Sequence, residues 1–260
     1  MLPRNTPIAL SIAGSDSGGE AGIQADLKTF AALKVHGTTA ITCLTAQNAS
    51  KISRLEPCSP AMLRAQLEAV ASHFAPGAAK TGMLYSAALA REAARFFKGH
   101  PRIPLVVDPV MISTSGRRLL QLDGVKILQE QLLPLARIVT PNLAEAEILA
   151  GGKIRTLEEL RAAAGAIYRR YGCAALVKGG HLAGTAEAAD FFYGPEGEWM
   201  ISAPRLKVAG LHGTGCVYSA AVTAGLARGM TGLQSVRLAK RYITSRIEEM
   251  QSRNKMNEAK

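Results

Sequence analysis

Short, almost wholly apolar runs alternate along the chain with stretches whose apolar residues recur every three or four positions, and few architectures accept that alternation. Residues 8–13, 38–45, 78–83, 104–110, 138–140 and 174–177 read as strands. Between them Ile23, Leu27, Phe30 and Leu33 keep helical spacing, as do Leu63, Leu67, Val70 and Phe74 after the cap-and-first-turn pair Ser59-Pro60. Further helices are expected near 86–97, 121–133 and 156–171. A run such as Leu105-Val106-Val107 has no polar side and must be covered on both faces. Strand–helix–strand units cross over right-handed, so the expected fold is α/β: a doubly wound, mostly parallel central sheet with helices on both faces. Residues 191–193 and 199–202 flank Gly194-Pro195-Glu196-Gly197 and read as an edge hairpin, followed by helices over 214–228 and 231–250. No linker, repeat or low-complexity tract divides the chain, so residues 1–260 are expected to form a single domain without a separate lid domain, the polar stretch 251–260 fraying.

Composition removes several classes. With 48% apolar residues in 260, the chain can build a sizeable core, and dominant disorder is excluded. No apolar run approaches the roughly 18 residues of a membrane span, and the polar stretch from Ser15 to Glu20 ends the first apolar run too early for a signal peptide. Cys43, Cys58, Cys173 and Cys216 are far apart and give neither a zinc framework nor a disulfide scaffold, which points to a reducing, cytoplasmic setting. Lys and Arg total 31 against 20 Asp and Glu, a net charge of +11 that fits nucleic acid, a phosphorylated ligand or a solvated basic surface.

In a doubly wound sheet ligands sit beyond the carboxyl ends of the strands. Those ends carry Gly14-Ser15-Asp16, Ala46-Gln47-Asn48, Gly82-Met83, Asp108-Pro109-Val110, Pro141-Asn142 and Lys178-Gly179-Gly180-His181, an unusually polar and glycine-rich set. His212-Gly213-Thr214-Gly215-Cys216 opens a helix of small residues; free N–H groups there and the helix dipole make an anion site, and a thiol at that position is expected to have a lowered pKa. The plain alternative is a glycine-rich loop before a packed helix, with Cys216 a small buried hydrophobe. Lys178 follows a buried strand, where its ammonium needs either a phosphate or a salt bridge. Asp108, with Asn142 and Glu145 at a helix start, reads either as a Mg²⁺ and triphosphate corner or, for the last two, as a capping box. Gly151-Gly152-Lys153 is no Walker A loop, and Asp16 stands where a hydrolase elbow needs serine.

Seven segments occur in order: IAGSDSGGEAGIQADLKTF at 12–30, LTAQN at 44–48, KTGML at 80–84, DPVM at 108–111, TPNLAEAE at 140–147, VKGGH at 177–181 and HGTGC at 212–216. Together they resemble the hydroxymethylpyrimidine/phosphomethylpyrimidine kinases of thiamin biosynthesis, within the ribokinase-like superfamily, from residue 7 to about 245. The resemblance implies ATP-dependent, Mg²⁺-dependent phosphorylation of 4-amino-5-hydroxymethyl-2-methylpyrimidine and then of its monophosphate. It implies that Gln47 reads the aminopyrimidine edge, where an amide can both donate and accept. Asp26 and the Gly14 backbone would form the other polar side, and Met83 and Val110 the apolar walls. Cys216 would be the catalytic cysteine, with Gly213, Thr214 and Gly215 completing the anion hole for the transferred group. Lys178 and Asn142 would contact phosphate, Asp108 phosphate and metal, and Glu145 metal. A homodimer is implied as well.

Three positions depart from the pattern. Glu20 replaces a glycine of the substrate loop, Val217 a threonine after Cys216, and Arg117 an acidic residue. A pyridoxal or pyridoxine kinase of the same superfamily is the near alternative, which Gln47 argues against. A basic nucleic-acid-binding protein is the distant one. It would need aromatics interleaved with Lys and Arg, whereas the few aromatics are scattered, so neither nucleic acid nor membrane is expected as a partner. Arg228, Arg237, Lys240, Arg241, Arg246, Arg253, Lys255 and Lys260 supply much of the positive excess and read mostly as solvated helix-face charges.

Overall fold

The computed structural model describes residues 3, 5–48, 51–112, 118–180, 182, 187–206 and 213–258. Its centre is a nine-stranded sheet. In chain order the elements are β1 (Ile8–Asp16), α1 (Gly22–Ala32), β2 (His36–Gln47), β3 (Ile52–Pro57), α2 (Pro60–His73), β4 (Ala78–Thr81), α3 (Ala87–Gly99), β5 (Leu105–Val107), α4 (Leu122–Ile127), β6 (Ile138–Val139), α5 (Leu143–Ala150), α6 (Leu157–Tyr171), β7 (Ala174–Lys178), β8 (Glu187–Gly194), β9 (Gly197–Pro204), α7 (Thr214–Ala227) and α8 (Gly232–Glu258). The spatial order is β3-β2-β1-β4-β5-β6-β7-β8-β9. The inner strands from β2 to β7 run parallel, while β3, β8 and β9 add antiparallel edges.

Alternate residues of the inner strands enter different cores, as a sheet covered on both sides requires. Ala79, Leu105, Val107, Val139, Ala175 and Val177 face a core with Leu63, Leu67 and Ile167 from α2 and α6. Their neighbours Ala78, Val106, Ile138, Ala174 and Leu176 face Ala221 and Val222 of α7 and Val236 and Ala239 of α8.

Three expectations are corrected. The edge strand β3 lies where no element was expected. The helix expected over 121–133 is α4 followed by a π turn at Leu128–Leu132 and a 3₁₀ turn at Leu133–Leu135, where Pro134 removes a backbone donor. At the other end α8 continues to Glu258, because residues 251–258 contain neither glycine nor proline and are mostly good helix formers.

One ion pair joins α1 to the sheet. Asp26 of α1 and Lys80 of β4 meet at 2.7 Å with both side chains fully buried, and the Ser11 hydroxyl of β1 donates to the second Asp26 oxygen at 2.5 Å. Burial pushes the Asp26 carboxyl up while Lys80 and Ser11 pull against it. Burial works most strongly against the Lys80 charge, but Asp26, Cys216 and Asp108 together hold the ammonium above its ordinary value. A buried pair costs most when one partner is removed. Asp26→Leu should therefore lower unfolding free energy by about 3–5 kcal/mol, and Asp26→Leu/Lys80→Met should recover most of it, as urea unfolding of both variants will show.

Candidate active site

The carboxyl ends of β1, β2, β4, β5, β6 and β7 open into a cleft of about 570 Å³, closed on one side by the start of α7 and extended past β7 over β8, β9 and α8. Gly14, Gln47, Met83, Asp108, Val110, Asn142, Glu145, Lys178, Gly213, Thr214, Gly215 and Cys216 all line it. Asp26 does not line it. Its carboxylate is buried beneath the cleft and engaged by Lys80 and Ser11, so the structure gives it a supporting place rather than a wall of the pocket. His181, His212 and Arg117 lie outside the described residues.

The loop after β1 is shaped by Asp16, a residue the sequence singled out only for not being serine. Its carboxylate, 4% exposed, accepts the backbone N–H groups of Gly18 at 2.8 Å, Glu20 at 3.0 Å and Ala21 at 2.8 Å. Three donors folded round one short acid is a compact turn that the carboxylate holds closed. This turn presses the Glu20 carbonyl against Gly213, whose φ of 74° and absent Cβ are both needed, since a Cβ there would overlap that oxygen. The Glu20 side chain itself is exposed. On the neighbouring strand Gln47 is half-buried, its backbone N–H and C=O both bonded to the Ser17 hydroxyl at 2.8 Å.

Across the cleft, Lys178 pairs with Asp108 at 3.3 Å, and Asp108 also accepts from Ser219 of α7 at 3.0 Å. The salt bridge and the phosphate reading of Lys178 are thus compatible, because its ammonium lies on the side of Gly215 where an added Cβ would come into contact with it, beside the anion-site turn. Burial opposes the Lys178 charge, but Asp108 and Glu145 outweigh it and raise its pKa. The capping box is also real: Asn142 accepts the Glu145 N–H at 3.0 Å, and Glu145 accepts the Asn142 N–H at 2.9 Å. Burial, with Asp108 adding, pushes the Glu145 carboxyl up to about 7 against the pull of Lys178 and of the Asn142 and Met111 N–H groups.

Cys216 corrects the expectation of a lowered thiol pKa. It sits in the first turn of α7, where the dipole favours thiolate, and Lys80 and the Gly22 N–H favour it as well. Burial nevertheless dominates, and Asp108 and Asp26 add repulsion, so the thiol is pushed up to about 11. It is a neutral S–H at neutral pH.

Lys240 is a second correction. It is 7% exposed and buried against Asp190 at 2.8 Å, not solvated on a helix face. Asp190, Tyr218 and Lys240 line the cleft, and the sequence reading missed all three as site residues. The available signal was Asp190, an acid flanked on both sides by apolar residues within β8. Among the described residues no three His, Cys, Asp or Glu side chains gather as a metal cluster.

Comparison with known proteins agrees with this geometry. The family model described as phosphomethylpyrimidine kinase matches residues 16–259. A hydroxymethylpyrimidine/phosphomethylpyrimidine kinase of Rhizobium meliloti is 48% identical over 249 residues, covering 93% of this chain and 91% of the relative. Among solved structures, a phosphomethylpyrimidine kinase of Clostridium difficile superposes with a TM-score of 0.83 at 39% identity, over 92% of this chain and 99% of that one. A pyridoxal kinase of Bacillus subtilis in complex with ADP gives 0.84 at 36% identity, over 92% and 91%. With a ribokinase-like sheet, a cleft at its carboxyl edge and this match across nearly its whole length, the chain is a kinase belonging to the phosphomethylpyrimidine kinase family.

Proposed function

We propose that the cleft transfers the terminal phosphoryl group of ATP to the hydroxymethyl oxygen of 4-amino-5-hydroxymethyl-2-methylpyrimidine, and then phosphorylates the monophosphate to the diphosphate used in thiamin synthesis. The observation that carries this reading is one continuous cleft with two chemically distinct ends. Gln47, the Gly14 backbone, Met83 and Val110 offer an amide and apolar walls to a small aminopyrimidine ring. Lys178 and the 213–216 turn offer a cation and helix-start N–H groups to phosphate. Beyond Lys178 the lining mixes Ala188, Pro204, Ile243 and Ile247 with the polar Asp190, Lys240 and Thr244, and its apolar part offers a surface for the purine base.

Phosphoryl transfer of this kind asks for alignment and charge stabilisation more than for covalent help. Lys178 and the N–H groups of the turn face the charge that develops on the transferred group. Cys216, held as a thiol, orients the acceptor hydroxyl toward that turn rather than removing its proton beforehand. For Mg²⁺ the residues fit: Asp108 and Glu145 are buried carboxylates that already repel each other's charge, and a divalent cation would relieve that. When bound it would supply neutralisation of the triphosphate, with the nucleotide and water providing its remaining ligands.

The remaining expectations stay proposals. One continuous sheet supports a single domain. The exposed side chains of Leu44, on β2 next to the edge strand β3, and of Met62, on α2, support a homodimer, which sedimentation would report. All four cysteines are free, which supports a reducing, cytoplasmic setting, and no described helix is long and apolar enough to cross a membrane. Pyridoxal phosphorylation is the second reading, because the pyridoxal kinase superposes as well as the pyrimidine kinase does. Comparing kcat/KM for the two substrates separates them, and Gln47 predicts the pyrimidine to be preferred.

Incubation with ATP, Mg²⁺ and hydroxymethylpyrimidine should yield first the monophosphate and then the diphosphate; absence of both products sinks the assignment. Cys216→Ala should lower kcat by about 100-fold or more without unfolding the protein, while Cys216→Ser, which keeps a donor but not an accessible anion, should restore most of that loss. Equal loss in the two variants would instead show that the thiolate acts as base. In the free enzyme, alkylation of Cys216 by iodoacetamide should be slow at pH 8 and rise about tenfold per pH unit toward pH 11. A plateau reached by about pH 9–10 would mean an ordinary thiol, whose pKa is about 8.5.

A further inference from the structure

Asp190 sits in β8, outside every segment that carries the family resemblance, yet it is the most heavily engaged carboxylate on the far side of the cleft. It is 2% exposed. One oxygen accepts the Gly179 N–H at 3.0 Å; the other accepts the Tyr218 hydroxyl and the Lys240 ammonium, each at 2.8 Å. Lys240 also donates to the Ala188 carbonyl at 2.6 Å, which fixes α8 on β8. Burial and the Asp190 charge hold the Tyr218 phenol protonated, so it stays a donor.

The contacts of this cluster are distributed in a specific way. Gly179 directly follows Lys178, and a Cβ at Gly179 would overlap the Ala189 carbonyl and crowd Leu160, so the turn is seated hard against β8. Tyr218 is two residues beyond Cys216, in the first turns of the helix whose start forms the anion site. A single carboxylate thus bonds the turn that carries the phosphate-facing lysine and the helix that carries the phosphate-facing N–H groups. A buried ion pair is a poor source of stability compared with apolar packing, which makes its presence in the cleft wall informative.

We propose that Asp190, with Tyr218 and Lys240, is the positioning centre of the nucleotide side: it clamps the 178–180 turn against α7 so that Lys178 and the 213–216 turn bind the same phosphates. The proposal rests on the kinase reading above, and deepens it. None of the three residues is assigned contact with the reacting atoms. Each acts through Lys178 and the α7 turn. The ring-binding residues Gly14, Gln47 and Met83 belong to β1, β2 and the end of β4, toward the other end of the sheet, so only the start of α7 is shared between the two sides.

The test uses the whole chain and calorimetric titration with MgADP and, separately, with hydroxymethylpyrimidine. Asp190→Leu/Lys240→Met removes both charges together, so no lone buried ion is left to unfold the protein, and thermal melting checks the fold. The clamp predicts that this variant loses MgADP affinity by about tenfold or more, keeps its pyrimidine affinity, and raises KM for ATP more than it lowers kcat. Asp190→Asn/Lys240→Met returns an acceptor oxygen to the Gly179 N–H and sets an amide N–H opposite the Tyr218 oxygen, which can accept it, and should recover a large part of the nucleotide affinity. Wild-type MgADP affinity in the Leu/Met variant would overturn the proposal, whatever happens to its melting temperature. So would a parallel loss of both ligands, or the absence of any recovery with asparagine. Failure of the wild-type protein to phosphorylate the pyrimidine would strike the kinase reading alone, because MgADP titration needs no turnover.

Discussion

The fully buried pair of Asp26 and Lys80 is the contact on which the arrangement of the cleft depends. It crosses from α1 to β4, and Ser11 brings β1 into the same hydrogen-bonded group. Those elements carry the substrate loop and the Gly82-Met83 corner, so the pair fixes the floor that the loops stand on. It also leaves a permanent ammonium beneath Cys216, where it opposes, without cancelling, the effect of burial on the thiol. Such a pair contributes little net stability, but its geometry is stringent, because either charge alone in that interior is costly. Its value lies in allowing one arrangement of three elements.

Above this floor the same chemistry recurs. Asp16 closes the substrate loop through three N–H groups, Asp108 joins Lys178 to α7, Glu145 closes the start of α5, and Asp190 gathers β8, α7, α8 and the turn after Lys178. Each is an almost fully buried carboxylate with at least one charged or backbone partner. The cleft wall is therefore held by carboxylates that are each engaged by N–H, hydroxyl or ammonium donors of the protein itself. This also explains why the thiol of Cys216 behaves against the simple helix-start rule: the dipole acts on it, but so do desolvation and two carboxylates.

The inner fold was legible in the sequence because covered parallel strands leave an unmistakable mark, a run such as Leu105-Val106-Val107 with no polar side. Residues 52–57 left no such mark: β3 is an edge strand with Ser53, Arg54 and Glu56 exposed, and its pairing with β2 is decided by the backbone. The strand-end residues that line the cleft were legible because glycine and polar residues are conspicuous after apolar runs. What local pattern hides is long-range pairing. Asp26 looked like a polar wall of the pocket until Lys80, 54 positions away, was seen to occupy it. Lys240 looked like one more solvated cation until Asp190, 50 positions away, took it inside. Of the cations behind the formal charge of +11, Lys178 lines the cleft, while Lys80 and Lys240 are paired inside the fold with Asp26 and Asp190.

The most direct measurement is a crystal structure of the protein with hydroxymethylpyrimidine and a non-hydrolysable ATP analogue. The account predicts the pyrimidine ring between Gln47 and the Met83 and Val110 walls, its hydroxymethyl group toward Cys216, and the terminal phosphate between Lys178 and the 213–216 turn. A triphosphate bound away from that turn, or a ring seated on the β8–β9 side of Lys178, would contradict it.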